Sequence, residues 1–219
     1  MPTTTTTADY LDAIEHLPEG AALRLTGVSW DEYEELLSEL GDRAGLRVSY
    51  DEGRLQILSP TPEHEEYKDS ILCLARLLAD ETNIILETRG SATYRRRRKA
   101  KGAEPDTSFY VQNAARMIGK RQIDLETDPP PDVVVEIDVS NESLSKFPIY
   151  AALGVPEIWL YDGQEARFYQ LAQQNCREIA CSLAFPALTA AALTEFLADS
   201  KTSGQTAALA AFRSWLSAR

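Results

Sequence analysis

Val133-Val134-Val135-Glu136-Ile137-Asp138-Val139, followed by Lys146 to Leu153 and then Glu157-Ile158-Trp159-Leu160-Tyr161, decides the fold. The first segment is too apolar for a strand with one wet face, so it reads as a central strand covered on both sides. The second reads as a helix, with Ser145 as its cap, Pro148 in the first turn where a missing N–H costs little, and Gly154 as its stop. The third alternates as another strand. The link from Val139 through Pro156 spans 18 residues. That is long enough for a helical crossover between parallel strands.

Working upstream, Asp106 to Val111, Ala92 to about Arg97 and Ile84 to Glu87 read as strands, with a turn at Lys101-Gly102. Residues 112–130 are polar, end in Pro129-Pro130-Pro131, and read as a loop. A helix runs from about Glu63 to Glu81 behind the rigid link Ser59-Pro60-Thr61-Pro62. Leu46 to Tyr50 and Arg54 to Leu58 form a hairpin across Asp51-Glu52-Gly53. A helix capped by Ser29 or Asp31 runs to Leu40 and stops at Gly41. Downstream, Arg167 to Leu171 and Glu178 to Cys181 suggest a closing hairpin, followed by helices near 189–199 and 204–217. The expected class is α/β. Residues 1–25 are expected to be a tail with a short helix, and 26–219 one domain.

Composition excludes several classes. No run of 18 apolar residues exists, so no helical membrane span is expected. Met1-Pro2 and five threonines carry neither basic residues nor an apolar stretch, which suits a frayed end rather than a signal peptide. Cys73, Cys176 and Cys181 lack metal spacing, and Cys73 is expected on the apolar face of its helix. Sparse buried thiols imply a reducing, cytoplasmic setting. His16 and His64 are too few for a zinc site built on imidazole. The net charge of −12 argues against a protein that coats nucleic acid. Yet Arg95, Arg96, Arg97, Arg98, Lys99 and Lys101 crowd into seven positions, and local charge decides where a phosphate settles. The competing expectation is a solvated hairpin whose repulsion protects a sheet edge.

The chemistry lies in the acids. Glu136 and Asp138 are two apart on a strand and so share a face, about 7 Å apart. Asp106, on a neighbouring strand, falls about 4.8 Å across the sheet. Carboxylates converging at that range repel, and a hard divalent cation with oxygen ligands relieves the repulsion. Such an ion polarises a phosphoryl oxygen and eases deprotonation of a water. Lys146, at the start of the crossover helix, can reach back over the strand end and neutralise charge on a phosphate. His64 shares a helical face with Tyr67 and Ile71 and is expected to look toward the sheet. Glu65 either joins the site or favours the helix dipole.

In Ser59-Pro60-Thr61-Pro62-Glu63-His64, Gly102-Ala103-Glu104-Pro105-Asp106, Pro131 to Asp138, and above all Lys146-Phe147-Pro148-Ile149-Tyr150-Ala151-Ala152-Leu153-Gly154-Val155-Pro156-Glu157-Ile158-Trp159, the chain resembles the restriction-endonuclease-like proteins of bacteria. These are a branch of the PD-(D/E)xK phosphodiesterase superfamily. The resemblance covers roughly residues 25 to 215. It implies a mixed sheet flanked by helices and a Mg²⁺- or Mn²⁺-dependent endonuclease acting on DNA. Asp106 matches the motif aspartate and Glu136 the second acid, while Asp138 stands where the superfamily usually has lysine. Lys146 is the candidate for a lysine moved to a nearby helix. Asp106, Glu136 and Asp138 would hold the ion, and residues 95–101 would contact the backbone. Two other classes remain open. One is a non-catalytic module on the same fold that binds nucleic acid or a protein partner, with a homodimer through a sheet edge or the C-terminal helices as one form. The other is a hydrolase of small phosphate esters.

Overall fold

The computed structural model describes residues 7–41, 45–139, 145–172 and 175–218. The expected frayed end over residues 1–6 lies outside them. In chain order the elements are α1 (Thr7–Glu15), β1 (Ala22–Thr26), α2 (Trp30–Leu40), β2 (Arg47–Asp51), β3 (Arg54–Leu58), α3 (Pro62–Thr82), β4 (Glu87–Thr88), β5 (Tyr94–Arg96), β6 (Lys101–Ala103), β7 (Thr107–Tyr110), α4 (Ala114–Met117), β8 (Val133–Ile137), α5 (Phe147–Leu153), β9 (Glu157–Tyr161), β10 (Ala166–Ala172), β11 (Asn175–Ile179), α6 (Ala190–Thr202) and α7 (Gln205–Ser217).

They build two sheets. The first is antiparallel, in the order β1-β3-β2-β6-β5. The second runs β11-β10-β9-β8-β7-β4 and is mixed, because β8 and β9 pair in parallel through the α5 crossover. The α/β class with a mixed sheet flanked by helices is what the apolar run at 133–137 requires. Val133, Val135 and Ile137 pack with α3, α6 and α7 on one face. Val134 packs with Ile149, Tyr150 and Leu153 of α5 on the other. With both faces covered, every residue of β8 is buried, including Glu136. The chain passes from the first sheet to the second at Glu104-Pro105-Asp106, between β6 and β7.

Local chemistry sets the element ends. Ser29 and Glu32 form a reciprocal capping box on α2, and Thr61 caps α3 with Pro62 in the first turn. Within 1–25 the short helix is α1, with Ile14 buried in the α2–first-sheet core, and β1 pairs along all of β3. Several expectations are corrected. The strand expected at Ile84–Glu87 reduces to Glu87–Thr88, because Asn83 adopts a left-handed conformation and the Ile84 N–H closes the end of α3 on the Ala79 carbonyl at 2.9 Å. Lys101-Gly102 is strand, and the turn falls on the single 3-10 turn Arg97–Lys99 before it. Gly102 is a close-approach glycine: a Cβ there would lie 2.3 Å from the Tyr33 hydroxyl. The loop 112–130 contains α4. Lys146, not Ser145, occupies the cap position of α5. The last hairpin strand starts at Asn175, and Cys181 only bridges to Thr189. All three cysteines are exposed. Cys73 lies about 200° around α3 from the inward Ile71, so it points to solvent. No helix among the described residues is long and apolar enough to cross a membrane.

Glu157 is a fully buried acid outside the candidate site. It accepts from Trp159 Nε1 at 2.7 Å and from the Leu183 and Ala184 N–H groups at 3.0 Å each. Burial pushes its carboxyl up, and these donors oppose the shift. Glu157→Ala leaves two buried donors and one half-buried donor unmet and is expected to cost about 3 kcal/mol, read by urea denaturation.

Candidate active site

Thr107 pairs with Val135, so one further step along the antiparallel ladder sets Asp106 opposite Glu136. The Asp106 N–H donates to the Val135 carbonyl at 3.1 Å. The Asp106 carboxylate is then held on both oxygens. Arg47 Nε of β2 donates to Oδ1 at 3.2 Å, and the Ile137 N–H donates to Oδ2 at 2.8 Å. Only 2% of Asp106 is exposed. The first sheet thus supplies a cation to an acid of the second.

Glu136 faces α5. Lys146 Nζ lies 2.6 Å from its Oε2, and the Tyr150 hydroxyl donates to Oε1. Lys146 and Tyr150 stand four apart and share a helical face, so both converge on one carboxylate. Lys146 also reaches the Glu104 carbonyl at 3.5 Å. Burial pushes the Glu136 carboxyl up to about 7, with Lys146 pulling against the shift and Asp106 adding to it. Burial alone would lower the Lys146 ammonium, but Glu136 and Asp106 hold it above its usual value. Burial, then Glu136, drives the Tyr150 hydroxyl well up, so it acts as a donor.

Glu104 fixes the crossing between the sheets. Its carboxylate accepts from the Val48 N–H at 2.9 Å and the Thr93 hydroxyl at 2.6 Å. Arg47, beside Val48, carries the network to α3: its Nη2 donates to Glu65 Oε1 at 2.8 Å, and Lys68 pairs with the other Glu65 oxygen. Glu65 therefore steadies Arg47 and does not touch the acid pair directly. His64 is buried, with Nδ1 2.7 Å from the Thr61 hydroxyl, and it faces the cavity next to the acids.

That cavity holds about 220 Å³. Glu136, Asp138, Lys146 and His64 line it, with Leu58, Phe147 and Leu160 as apolar walls. Asp138 follows the end of β8, its N–H bonded to the Tyr161 carbonyl at 2.8 Å. It shares the cavity with Glu136, as the two-residue spacing requires. The expected three-acid group does not form. Among the described residues no three His, Cys, Asp or Glu side chains lie close enough to hold a metal ion. Two strand positions span about 7 Å, and Glu136 is turned toward Lys146 and Tyr150. The acids that meet are Asp106 and Glu136.

The donor set suits a hard divalent ion. Both groups are carboxylates, and they sit across from each other on adjacent strands, so their charges repel. A cation beside them relieves that repulsion, provided Lys146 yields an oxygen.

The basic run lies elsewhere in its bonding. Arg95 pairs with Glu34, Arg97 with Asp31 and Glu34, Arg98 with Glu126, and Lys101 with Asp51 and Glu52. Arg96 donates to the Leu125 carbonyl at 2.6 Å, and Lys99 is exposed on the far side of α5. Five neighbouring carboxylates cancel most of this charge, so the run does not form a bare phosphate strip.

Residues 30–198 match the family model Uma2, "putative restriction endonuclease". The chain belongs to the Uma2 family. The matched span runs from α2 into α6 and contains Arg47, Asp106, Glu136, Lys146 and Tyr150. A solved structure described as "a putative nuclease belonging to DUF820" from Anabaena variabilis is similar at 18% identity and a TM-score of 0.46, covering 87% of this chain and 98% of that one. No curated protein matches the chain. The Uma2 assignment agrees with the resemblance carried by Asp106, Glu136 and the α5 segment. Arg47 and Tyr150 were not singled out by sequence reasoning. Tyr150 carried a signal, its i,i+4 spacing from Lys146. Arg47 carried none, because its partners are 18 and 59 residues away.

Arg47 is nearly as buried as Asp106. Arg47→Met strips Asp106 of its cation and leaves a buried charge half-satisfied. Urea denaturation is expected to register a loss of about 3–5 kcal/mol.

Proposed function

We propose that this chain is a divalent-metal-dependent endonuclease that hydrolyses DNA phosphodiester bonds, using Mg²⁺ or Mn²⁺. The observation that carries the reading is the Asp106–Glu136 pair, two buried carboxylates opposed across adjacent strands, with Glu136 and its partner Lys146 lining the cavity. Family membership supports it, since restriction-endonuclease-like proteins generally use divalent metals. Asp106 and Glu136 would hold the ion. When bound, such an ion polarises a phosphoryl oxygen and eases loss of a proton from water.

The remaining work falls to the chain's own groups. Arg47 and the Ile137 N–H hold both Asp106 oxygens and fix the carboxylate in direction. Tyr150 holds one Glu136 oxygen, so rotation of the carboxylate is restricted while Lys146 moves. The Lys146 ammonium neutralises charge that builds on the phosphate oxygens. Asp138, on the cavity wall, accepts a hydrogen bond from the attacking water. Plasmid DNA incubated with purified protein and Mn²⁺ is expected to be nicked. Equal trace nicking by wild type and by Asp106 and Glu136 variants would assign the activity to a contaminant.

One observation favours a second reading. Both acids already have cationic partners, Arg47 and Lys146, which suits a nuclease-fold module that binds without cutting. Such a module would show no Mn²⁺ binding while folding normally.

A further inference from the structure

We propose that the cavity beside Glu136 receives a single unstacked base, so that single-stranded DNA, or a strand freed where a supercoiled duplex opens, is preferred over stacked duplex. This rests on the nuclease reading only for the position of the phosphate to be cut. Three independent observations carry it.

The first is the wall. Leu160 pairs with Glu136 across the β8–β9 ladder and so stands directly beside the acid. Leu58 at the end of β3 and Phe147 at the start of α5 face the same space. All three are only partly buried. Leu58 and Leu160 belong to none of the three cores of the described residues, so their apolar surface is directed into the cavity. Phe147 is braced edge-on by Tyr169, with ring centroids 4.9 Å apart. Apolar walls with one fixed aromatic ring suit the flat face of a base. A stacked duplex keeps those faces hidden and gains nothing from such walls.

The second is depth. Glu136 is 9% exposed, Lys146 8% and Asp106 2%. The opening holds about 220 Å³, on the order of seven waters. A base with its adjoining phosphate enters a space of that size, whereas two paired strands do not. Chemistry at a site this recessed calls for a strand whose nucleotide can splay out.

The third is charge. Duplex binding draws affinity from Lys and Arg that neutralise a row of phosphates. The six basic residues at 95–101 are surrounded by Asp31, Glu34, Asp51, Glu52 and Glu126, and the chain as a whole carries −12. With phosphate attraction weakened, base stacking supplies a larger share of the binding.

The test uses the whole chain with Mn²⁺ and three fluorescent DNA probes: a single-stranded oligonucleotide, its duplex, and the same strand with abasic residues replacing its central bases. Anisotropy reads binding and gel electrophoresis reads cleavage. The single strand is expected to bind about tenfold more tightly than the duplex, and the abasic strand to lose about that factor. Leu58→Trp and Ala22→Phe, which fill the cavity from the first sheet, are expected to weaken single-strand binding about tenfold with Mn²⁺ affinity and melting temperature unchanged. Duplex bound as tightly as single strand, or an abasic strand bound like the intact one, overturns the proposal, and the abasic result needs no variant to fold. Single-strand binding that falls with the abasic probe while Mn²⁺ neither binds nor supports cutting keeps the base pocket and removes the nuclease reading instead.

Discussion

Asp106→Asn is expected to lower Mn²⁺-dependent DNA cleavage by about a thousandfold while the protein still folds. The carboxylate meets two donors at once, Arg47 Nε at 3.2 Å and the Ile137 N–H at 2.8 Å. An asparagine offers one acceptor oxygen and turns an NH₂ toward the other donor. The mismatch costs about 1–3 kcal/mol, too little to unfold a domain with three hydrophobic cores. The charge that would hold a cation opposite Glu136 is gone. Glu136→Gln is expected to behave alike, since it removes the other charge and keeps the volume. A plasmid assay on both variants, with circular dichroism to establish folding, checks this. Cleavage within threefold of wild type in either variant contradicts the assignment of both acids.

Lys146→Met has the second large effect, and it divides by condition. The ammonium sits 2.6 Å from Glu136 Oε2 with 8% of the residue exposed. Without it, Glu136 and Asp106 face each other with no cation on the α5 side. In EDTA the loss is expected to be about 3–5 kcal/mol, the usual cost of breaking a buried ion pair from one side. Saturating Mn²⁺ is expected to restore part of it, because an ion bound only by the folded chain stabilises by mass action and supplies the missing charge. The double variant Lys146→Met/Glu136→Gln removes both charges and is expected to be more stable than Lys146→Met alone. Urea melts of the four proteins, with EDTA and with Mn²⁺, close the cycle. A Lys146→Met protein indifferent to Mn²⁺ supports the non-catalytic module. Under the nuclease reading, cleavage is expected to fall sharply in Lys146→Met, since its ammonium lines the cavity.

What could be read from the sequence follows from how local each signal is. The apolar run at 133–137, the proline-started helix at 147–153 and the strand at 157–161 announce a parallel crossover through period and length alone. Asp106 and Glu136 were legible because strand register is regular: once β7 and β8 pair, the two acids must face each other. Asp138 lines the same cavity as Glu136, but sharing a face is not sharing a ligand position; Glu136 turns to Lys146 and Tyr150. Arg47 was invisible because the two sheets meet through contacts with no sequence period. The basic run misled for a similar reason. Charge density is written in the sequence, but the acids that cancel it, Asp31, Glu34, Asp51, Glu52 and Glu126, come from α2, the β2–β3 turn and the segment after α4. Gly102 carries a turn signal in the sequence because a tight turn and the close approach of a tyrosine both favour a residue without a Cβ.

The most direct test is a calorimetric Mn²⁺ titration of the wild-type chain alongside Asp106→Asn and Glu136→Gln. The account predicts a saturable ion site on the wild type that is abolished in both variants while each remains folded. Mn²⁺ binding that is absent from the wild type, or that survives both substitutions unchanged, contradicts it.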